Sequence, residues 1–161
     1  MIYWLTFMVE GFIPLQQRPG SNSCLPTAIT AILRYYGHDV TQSQISDWCR
    51  EGPEGCVIDL AIEGLREEDC EVTELTEDPE NEMREYVNDA EDPTPVLVTI
   101  KPAFSEIMDH AVVVLGLDNE ESEDARVTLM DPLSGHIATM KAALFFLQWD
   151  NAGQLAFVIR A

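Results

Sequence analysis

The sequence predicts an α+β fold, with helices in the first half of the chain and an antiparallel sheet in the second. Apolar residues recur mainly at helical spacing up to about residue 87, whereas β-branched apolar runs dominate from residue 95. Turn residues separate those later runs, which is typical of hairpins. Because the 161 residues contain no repeat, low-complexity tract or linker, we expect a single domain over residues 1–161.

The first predicted helix begins at Cys24 and ends near Gly37. Residues 21–23 offer serine and asparagine side chains for the N-cap, Pro26 is tolerated in the first turn, and glycine commonly follows a helix end. One face of this helix should be buried, because apolar side chains recur there at helical spacing: Ile29, Ile32, Leu33 and Tyr36.

The other elements follow from the same periodicities and from their end signals. Thr41 and Gln44 form a capping box for a short helix that ends near Trp48. Asp78 and Pro79 open another helix, over residues 79–87. The remaining predicted elements are a helix with apolar positions Ile58, Ala61, Ile62 and Leu65, a helix over residues 142–148, an acidic loop over residues 118–124, and strands over residues 71–75, 95–100, 110–117, 126–130, 136–140 and 155–159.

The N-terminal segment, residues 1–13, is apolar but has no basic flank, carries Glu10 and is too short to span a bilayer. We interpret it as a buried first strand or a docking segment. No membrane insertion is expected elsewhere, and the expected compartment is the cytoplasm. No long heptad pattern is present, which argues against a coiled-coil dimer.

The chain is strongly acidic, with 29 acidic and nine basic residues and a formal net charge of −20. Such a surface repels nucleic acid and anionic membranes, so neither is an expected partner. The acidity has three possible origins: solvation in a salt-rich cytoplasm, as in a halophilic host; attraction of a basic peptide substrate; or a solvated face without a partner. The even spread of the acids along the chain favours the first.

A cysteine in the first turn of a helix is placed to be reactive. The helix dipole and the unpaired N–H groups favour the thiolate of Cys24. His110 begins an apolar strand, which is a rigid mount for a general base, although a partly buried structural histidine has the same pattern. Asp131 ends the partner strand of the predicted hairpin, so it should lie at the same end of the sheet, where it either orients His110 or caps the turn before Pro132.

The other titratable residues carry weaker signals. His38 follows a helix end and is expected on the surface, and His136 follows a turn and fits either role. The remaining cysteines, Cys49, Cys56 and Cys70, lack the paired spacing of a zinc site. We expect them to be buried or plain thiols without disulfides, and we expect no metal or other cofactor.

Gln16 and Gln17 precede the cysteine helix by a short loop, and either amide is a candidate donor to an oxyanion, together with the Cys24 backbone N–H. The alternative is a pair of solvent-facing loop residues. The order of glutamine, helix-start cysteine, strand-start histidine and aspartate before proline is the order of papain-like cysteine peptidases.

The stretches NSCLPTAITAILRYYG, DHAVVVLGLD and DPLSG, together with Gln17, resemble the bacteriocin-processing, double-glycine leader peptidases, over about residues 16–135. The resemblance implies a papain-like fold with Cys24 as nucleophile, His110 as general base, Asp131 as its orienting partner and Gln17 in the oxyanion hole. Leu25 stands where the family usually has glycine, and the glutamine lies one residue farther from the cysteine than is common.

A cysteine peptidase acting on a peptide or protein is therefore the expected function. The alternatives are a peptide-binding module that keeps the papain-like cleft without hydrolysis, and an acyl transferase that uses the same thioester with an amine in place of water. The presence of cysteine, histidine and glutamine together favours the enzyme over the binding module.

If the acidity is an adaptation to salt, self-repulsion should destabilise the protein at low ionic strength. We expect the melting temperature to rise by roughly 5 °C or more between about 0.05 M and about 1 M KCl, because salt screens the repulsion between the acidic side chains. Thermal unfolding followed by circular dichroism measures this, with sucrose as the uncharged control. A melting temperature that is flat or falling in KCl would contradict the interpretation.

Overall fold

The computed structural model describes residues 8–103, 109–118 and 122–161. Within these ranges the helices are α1 (Cys24–Tyr35), α2 (Gln42–Trp48), α3 (Ile58–Glu67), α4 (Pro79–Val87) and α5 (Ala142–Asn151). The strands are β1 (Glu71–Glu74), β2 (Val96–Ile100), β3 (His110–Leu117), β4 (Arg126–Asp131), β5 (His136–Lys141) and β6 (Ala156–Arg160). The fold is the predicted mixture of helices and an antiparallel sheet.

The strands form one sheet in the order β1-β6-β2-β3-β4-β5, and every neighbouring pair is antiparallel. The β3–β4 hairpin was predicted from the sequence and is confirmed. β1 comes from the largely helical first half but joins the sheet at its edge, beside β6. Long-range pairing of that kind depends on the folded arrangement rather than on local pattern.

The sheet is covered on both faces. One core lies between the sheet and α1, α2 and α3, and a second lies between the sheet and α4 and α5. In β3, Val113 contributes to the first core and Val112 to the second. The register between β3 and β4 shifts after Val114, so Leu117 joins the second core.

Helix α1 begins at Cys24 as predicted, but its predicted side-chain cap is wrong. Ser23 is the N-cap residue, yet its hydroxyl donates to the Glu51 carboxylate at 2.5 Å instead of accepting from the helix backbone. The helix ends at Tyr35, and Gly37 follows with a φ of +88°, a conformation that glycine adopts without strain. The predicted capping box of Thr41 and Gln44 is confirmed in α2.

The N-terminal prediction falls partly on residues 1–7, which lie outside the described residues, as do residues 119–121 of the acidic loop. From residue 8 the segment docks on the core without forming a strand in the described part. The Val9 N–H donates to the Leu115 carbonyl at 2.8 Å, and Phe12 is buried. None of the described helices is both long and apolar enough to cross a membrane.

Helices α2 and α3 approach closely at Gly64. A Cβ atom at this position would lie 1.8 Å from the Trp48 carbonyl oxygen, so no larger residue fits without separating the helices. Gly52, by contrast, has its nearest such neighbour at 4.0 Å and no positive φ. The two glycines therefore form a matched pair for testing the packing of this layer.

We expect Gly64→Ala to lower the free energy of unfolding by about 1–3 kcal/mol, because the added methyl group overpacks the interface between α2 and α3. Gly52→Ala is the control and should leave stability nearly unchanged, since its methyl group makes only ordinary contacts. Urea unfolding measures both. Equal effects of the two substitutions would show that the close approach does not constrain the fold.

Candidate active site

Packing of α1 against β3 brings the predicted cysteine and histidine together. Cys24 is the first residue of α1 and His110 is the first residue of β3. The apolar face of α1 and the β3 residues Ala111 and Val113 share one core, which fixes the helix on the strand. As a result, the Cys24 thiol and the His110 ring lie close enough for each to shift the pKa of the other, although they are 86 positions apart in the sequence.

Asp131 holds the other side of the imidazole. His110 Nε2 lies 2.6 Å from Asp131 Oδ1. The same carboxylate oxygen accepts the Leu133 N–H at 2.9 Å, and the Asp131 carbonyl accepts the Gly135 N–H at 2.8 Å. Asp131 thus caps the β4–β5 turn and contacts the histidine at once, so the two interpretations of its role are compatible.

The ionisation of the three groups is coupled. Burial opposes a charge on His110, but its hydrogen bonds to Asp131 and Cys24 outweigh burial and raise the pKa of the imidazole to about 9. Burial likewise opposes the thiolate, yet the hydrogen bond with His110 and the backbone hydrogen bond from Ala111 hold the pKa of Cys24 below its usual value. Both shifts act in the same direction, towards a thiolate on Cys24 and an imidazolium on His110.

The ionisation of Asp131 is also set by opposing effects of burial and hydrogen bonding. Its burial alone would favour the protonated acid, but the hydrogen bond and charge of His110, together with the Leu133 N–H, hold the pKa of Asp131 below its usual range. The ionised carboxylate fixes which ring nitrogen faces the aspartate and leaves the other for the thiol.

The two candidate glutamines occupy different environments. Gln16 is exposed, and its amide nitrogen lies 3.4 Å from the Leu133 carbonyl oxygen. Gln17 is buried, and its amide nitrogen donates to the Ser21 carbonyl at 2.7 Å, while its backbone N–H donates to Pro132. The structure therefore brings cysteine, histidine and aspartate together, whereas the described side-chain hydrogen bond of Gln17 is to the loop just before the cysteine.

A cavity of about 260 Å³ opens beside Cys24. Four chain segments far apart in the sequence line it besides the start of α1, and of these only the segment with Asp109 and Ala111 belongs to one of the motif stretches, DHAVVVLGLD. Leu25, the residue that departs from the family pattern, is part of the wall. The lining residues are Asn22, Cys24, Leu25, Glu54, Gly55, Cys56, Ile58, Thr99, Asp109, Ala111 and Leu155.

The remaining cysteines and histidines differ in their burial. All four cysteines are free, and Cys49 and Cys70 are buried as expected. The hydrogen bond with Cys56 and burial raise the pKa of the Cys49 thiol. His38 and His136 are exposed. Among the described residues no group of three or more histidine, cysteine, aspartate or glutamate side chains is placed to hold a metal ion.

Comparison with known proteins gives a family and a fold. The model of the Peptidase C39-like family matches residues 9–157. The peptidase domain of Streptococcus ComA, a bi-functional ABC transporter involved in a quorum-sensing pathway, superposes with a TM-score of 0.71 at 17% identity, over 92% of this chain and 97% of that one. No protein of curated function matches the sequence.

Two further solved structures have the same fold. A putative C39-like peptidase from Bacillus anthracis superposes with a TM-score of 0.74 at 15% identity, over 96% of this chain and 97% of that one. A double-glycine-motif protease from an AMS/PCAT transporter, in complex with the leader peptide, superposes with a TM-score of 0.66 at 15% identity, over 94% and 96% of the two chains.

Selective alkylation tests the thiolate–imidazolium pair. We expect iodoacetamide to label Cys24 faster than Cys56 between about pH 5 and about pH 7, where an ordinary thiol is almost wholly protonated. Both side chains are half-buried, so Cys56 is an accessibility control within the same molecule. Peptide mass spectrometry resolves the two sites.

In His110→Ala, labelling of Cys24 in this pH range should fall about tenfold or more, because the imidazolium no longer stabilises the thiolate. The direction follows from the two pKa shifts: His110 holds the pKa of Cys24 below its usual value, and Cys24 helps to raise the pKa of His110 to about 9, so removal of the imidazole should return the thiol towards its ordinary pKa. An unchanged labelling rate in the variant would contradict the pairing.

Proposed function

The chain belongs to the Peptidase C39-like family, and from this we propose that it is a cysteine peptidase that hydrolyses a peptide bond with Cys24, His110, Asp131 and Gln17. The proposal is supported mainly by the placement of the His110 imidazole, which interacts with the Cys24 thiol on one side and lies 2.6 Å from the Asp131 carboxylate on the other. Family membership supports the chemical class, since the fold of the relatives is that of peptidase domains.

Acylation would begin from the ion pair. The Cys24 thiolate attacks the carbonyl carbon of the scissile bond and a tetrahedral oxyanion forms. As the carbon–nitrogen bond breaks, the His110 imidazolium gives its proton to the leaving amine, and a thioester remains on Cys24. The Asp131 carboxylate keeps the ring in the orientation that this transfer needs.

Deacylation would return the enzyme to its starting state. Neutral His110 takes a proton from a water molecule, whose oxygen attacks the thioester carbonyl. Collapse of the second tetrahedral intermediate expels the Cys24 thiolate and releases the carboxylic acid product. The imidazolium formed in this step pairs with the thiolate again, so protons balance over the cycle.

Gln17 is the better of the two glutamines for the oxyanion hole. It is buried in the loop before α1, and its amide nitrogen has a second hydrogen besides the one donated to Ser21. The bond from its backbone to Pro132 ties this loop to the turn that follows Asp131. Gln16 instead lies on the surface, with its Cβ against Gly135.

A peptide is the substrate class that the relatives support. One solved relative is a protease described in complex with a leader peptide. The strongly acidic surface disfavours nucleic acid. We do not extend the double-glycine cleavage site to this chain, because Leu25 occupies the wall of the cavity beside the nucleophile.

Turnover of a diverse peptide pool tests the proposal. We expect Cys24→Ala to abolish cleavage, and Gln17→Ala to lower kcat/KM about a hundredfold, because the oxyanion loses a donor. Alkylation of Cys24 by iodoacetamide forms no oxyanion, so Gln17→Ala should leave its rate nearly unchanged. A lower kcat/KM with an unchanged alkylation rate would show that Gln17 acts on the oxyanion rather than on the structure of the site.

Gln16→Ala is the matched control and should retain most of the activity. Loss of turnover in Gln16→Ala but not in Gln17→Ala would reverse the assignment of the oxyanion donor. Cleavage that survives Cys24→Ala would disprove the mechanism. Mass spectrometry of the products with and without added glycinamide separates hydrolysis from acyl transfer, since transfer would give the amide adduct.

A further inference from the structure

We propose that the cavity beside Cys24 is a specificity subsite for a basic side chain, lysine or arginine, within two residues of the scissile bond. The inference rests on the proposed peptidase function and adds a substrate class to it. The observations that carry it are the apolar walls, two carboxylates from separate segments, and a buried hydroxyl without a partner.

The walls suit an aliphatic stem. Leu25 and Ala111 are buried, and Ile58 and Leu155 are half-buried, so the interior presents hydrocarbon from four elements or loops. Lysine and arginine side chains pack their methylene groups along such surfaces while their charged ends reach polar groups. A glycine at this position would leave a space of about 260 Å³ without protein atoms.

The exposed part of the lining is acidic. Glu54 lies in the loop between α2 and α3, and Asp109 directly precedes β3, so two segments far apart in the sequence each bring an acidic residue to the lining of the same cavity. The lining contains no lysine or arginine. A cationic side chain would be attracted by this pair, and an acidic one would be repelled.

Thr99 adds a buried polar group to the lining of the cavity. Its residue is only 8% exposed, and its hydroxyl has no hydrogen-bond partner within the part of the chain that the structure describes. An unpaired buried hydroxyl is unfavourable, and a ligand that bonds to it removes the penalty. An ammonium or guanidinium group has only donors, which the oxygen of Thr99 can accept.

The apolar walls, the acidic residues and the Thr99 hydroxyl together indicate which type of side chain the cavity would bind. A purely apolar side chain would fill the walls but leave the Thr99 hydroxyl unpaired and bring hydrocarbon against two carboxylates. An acidic side chain can bond to the hydroxyl but meets the repulsion of Glu54 and Asp109. A basic side chain with a long stem matches all three parts of the cavity, and its positive charge adds an attraction to Glu54 and Asp109 that a neutral donor lacks.

A pair of peptides that differ by one ammonium group tests the subsite. Cleavage sites in a peptide pool, located by mass spectrometry, define the sequence; the basic residue nearest the cleaved bond is then replaced by norleucine, which keeps the stem. We expect kcat/KM to be about tenfold higher for the lysine peptide, because a charge-assisted contact in a partly buried site is lost with norleucine.

Substitutions in the cavity lining test which residues cause the preference for lysine over norleucine. Glu54→Gln should reduce the lysine-to-norleucine ratio about twofold to fivefold, as expected for a partly exposed ion pair. Thr99→Val, which keeps the shape of the side chain, should reduce it about threefold to tenfold. Glu71→Gln removes the same charge at the far end of β6 from Leu155, beside Arg160, and should leave the ratio unchanged.

The outcomes separate this inference from the proposed function. Cys24-dependent cleavage that is equally fast for lysine and norleucine, or a ratio that Glu71→Gln lowers as much as Glu54→Gln, would overturn the subsite while the peptidase stands. Binding of both peptides to Cys24→Ala, measured by fluorescence anisotropy, gives the second readout. Tighter binding of the lysine peptide without any cleavage by the native protein would disprove the peptidase and support the subsite.

Discussion

The contact between the first residue of α1 and the first residue of β3 is the constraint on which the rest of the site depends. Cys24 and His110 meet because a buried helix face lies on a buried strand, and neither element can shift without opening the core. The interiors of proteins are closely packed and have few alternative arrangements. A pair of reactive groups placed by such packing is held in register without any covalent link.

The β3–β4 hairpin places Asp131 beside His110. Asp131 ends β4, and its carboxylate accepts a backbone N–H of the next turn. This bond holds the carboxylate in place independently of its contact with His110. The loop carrying Gln17 is in turn bonded to Pro132. One turn of the sheet thus organises the aspartate and the glutamine loop together, which explains how residues from three parts of the chain share one small region.

The strong negative charge of the chain surrounds Cys24 and His110 with a negative electrostatic potential. A chain with 29 acidic residues opposes the approach of anions. Glu54 and Asp109 bring acidic residues to the cavity beside Cys24. The same composition that solvates the protein therefore also affects which molecules can approach this thiol.

Local sequence pattern was enough to predict most of the helices and strands and to suggest the candidate reactive groups. The start of α1, the capping box of α2 and the β3–β4 hairpin were all predicted from periodicity and end signals, and the order of cysteine, histidine and aspartate indicated the chemistry. The cap of α1 was mispredicted because the Ser23 hydroxyl bonds to Glu51, a partner 28 residues away.

Only the tertiary structure decided how distant segments meet. It placed β1 beside β6, buried Gln17 while leaving Gln16 exposed, and gathered Glu54, Thr99 and Leu155 around one cavity. None of these follows from local pattern, since each depends on which surfaces the helices and strands bury against one another. A one-dimensional pattern specifies which side of an element is apolar, but the partner of that side is chosen by packing in three dimensions.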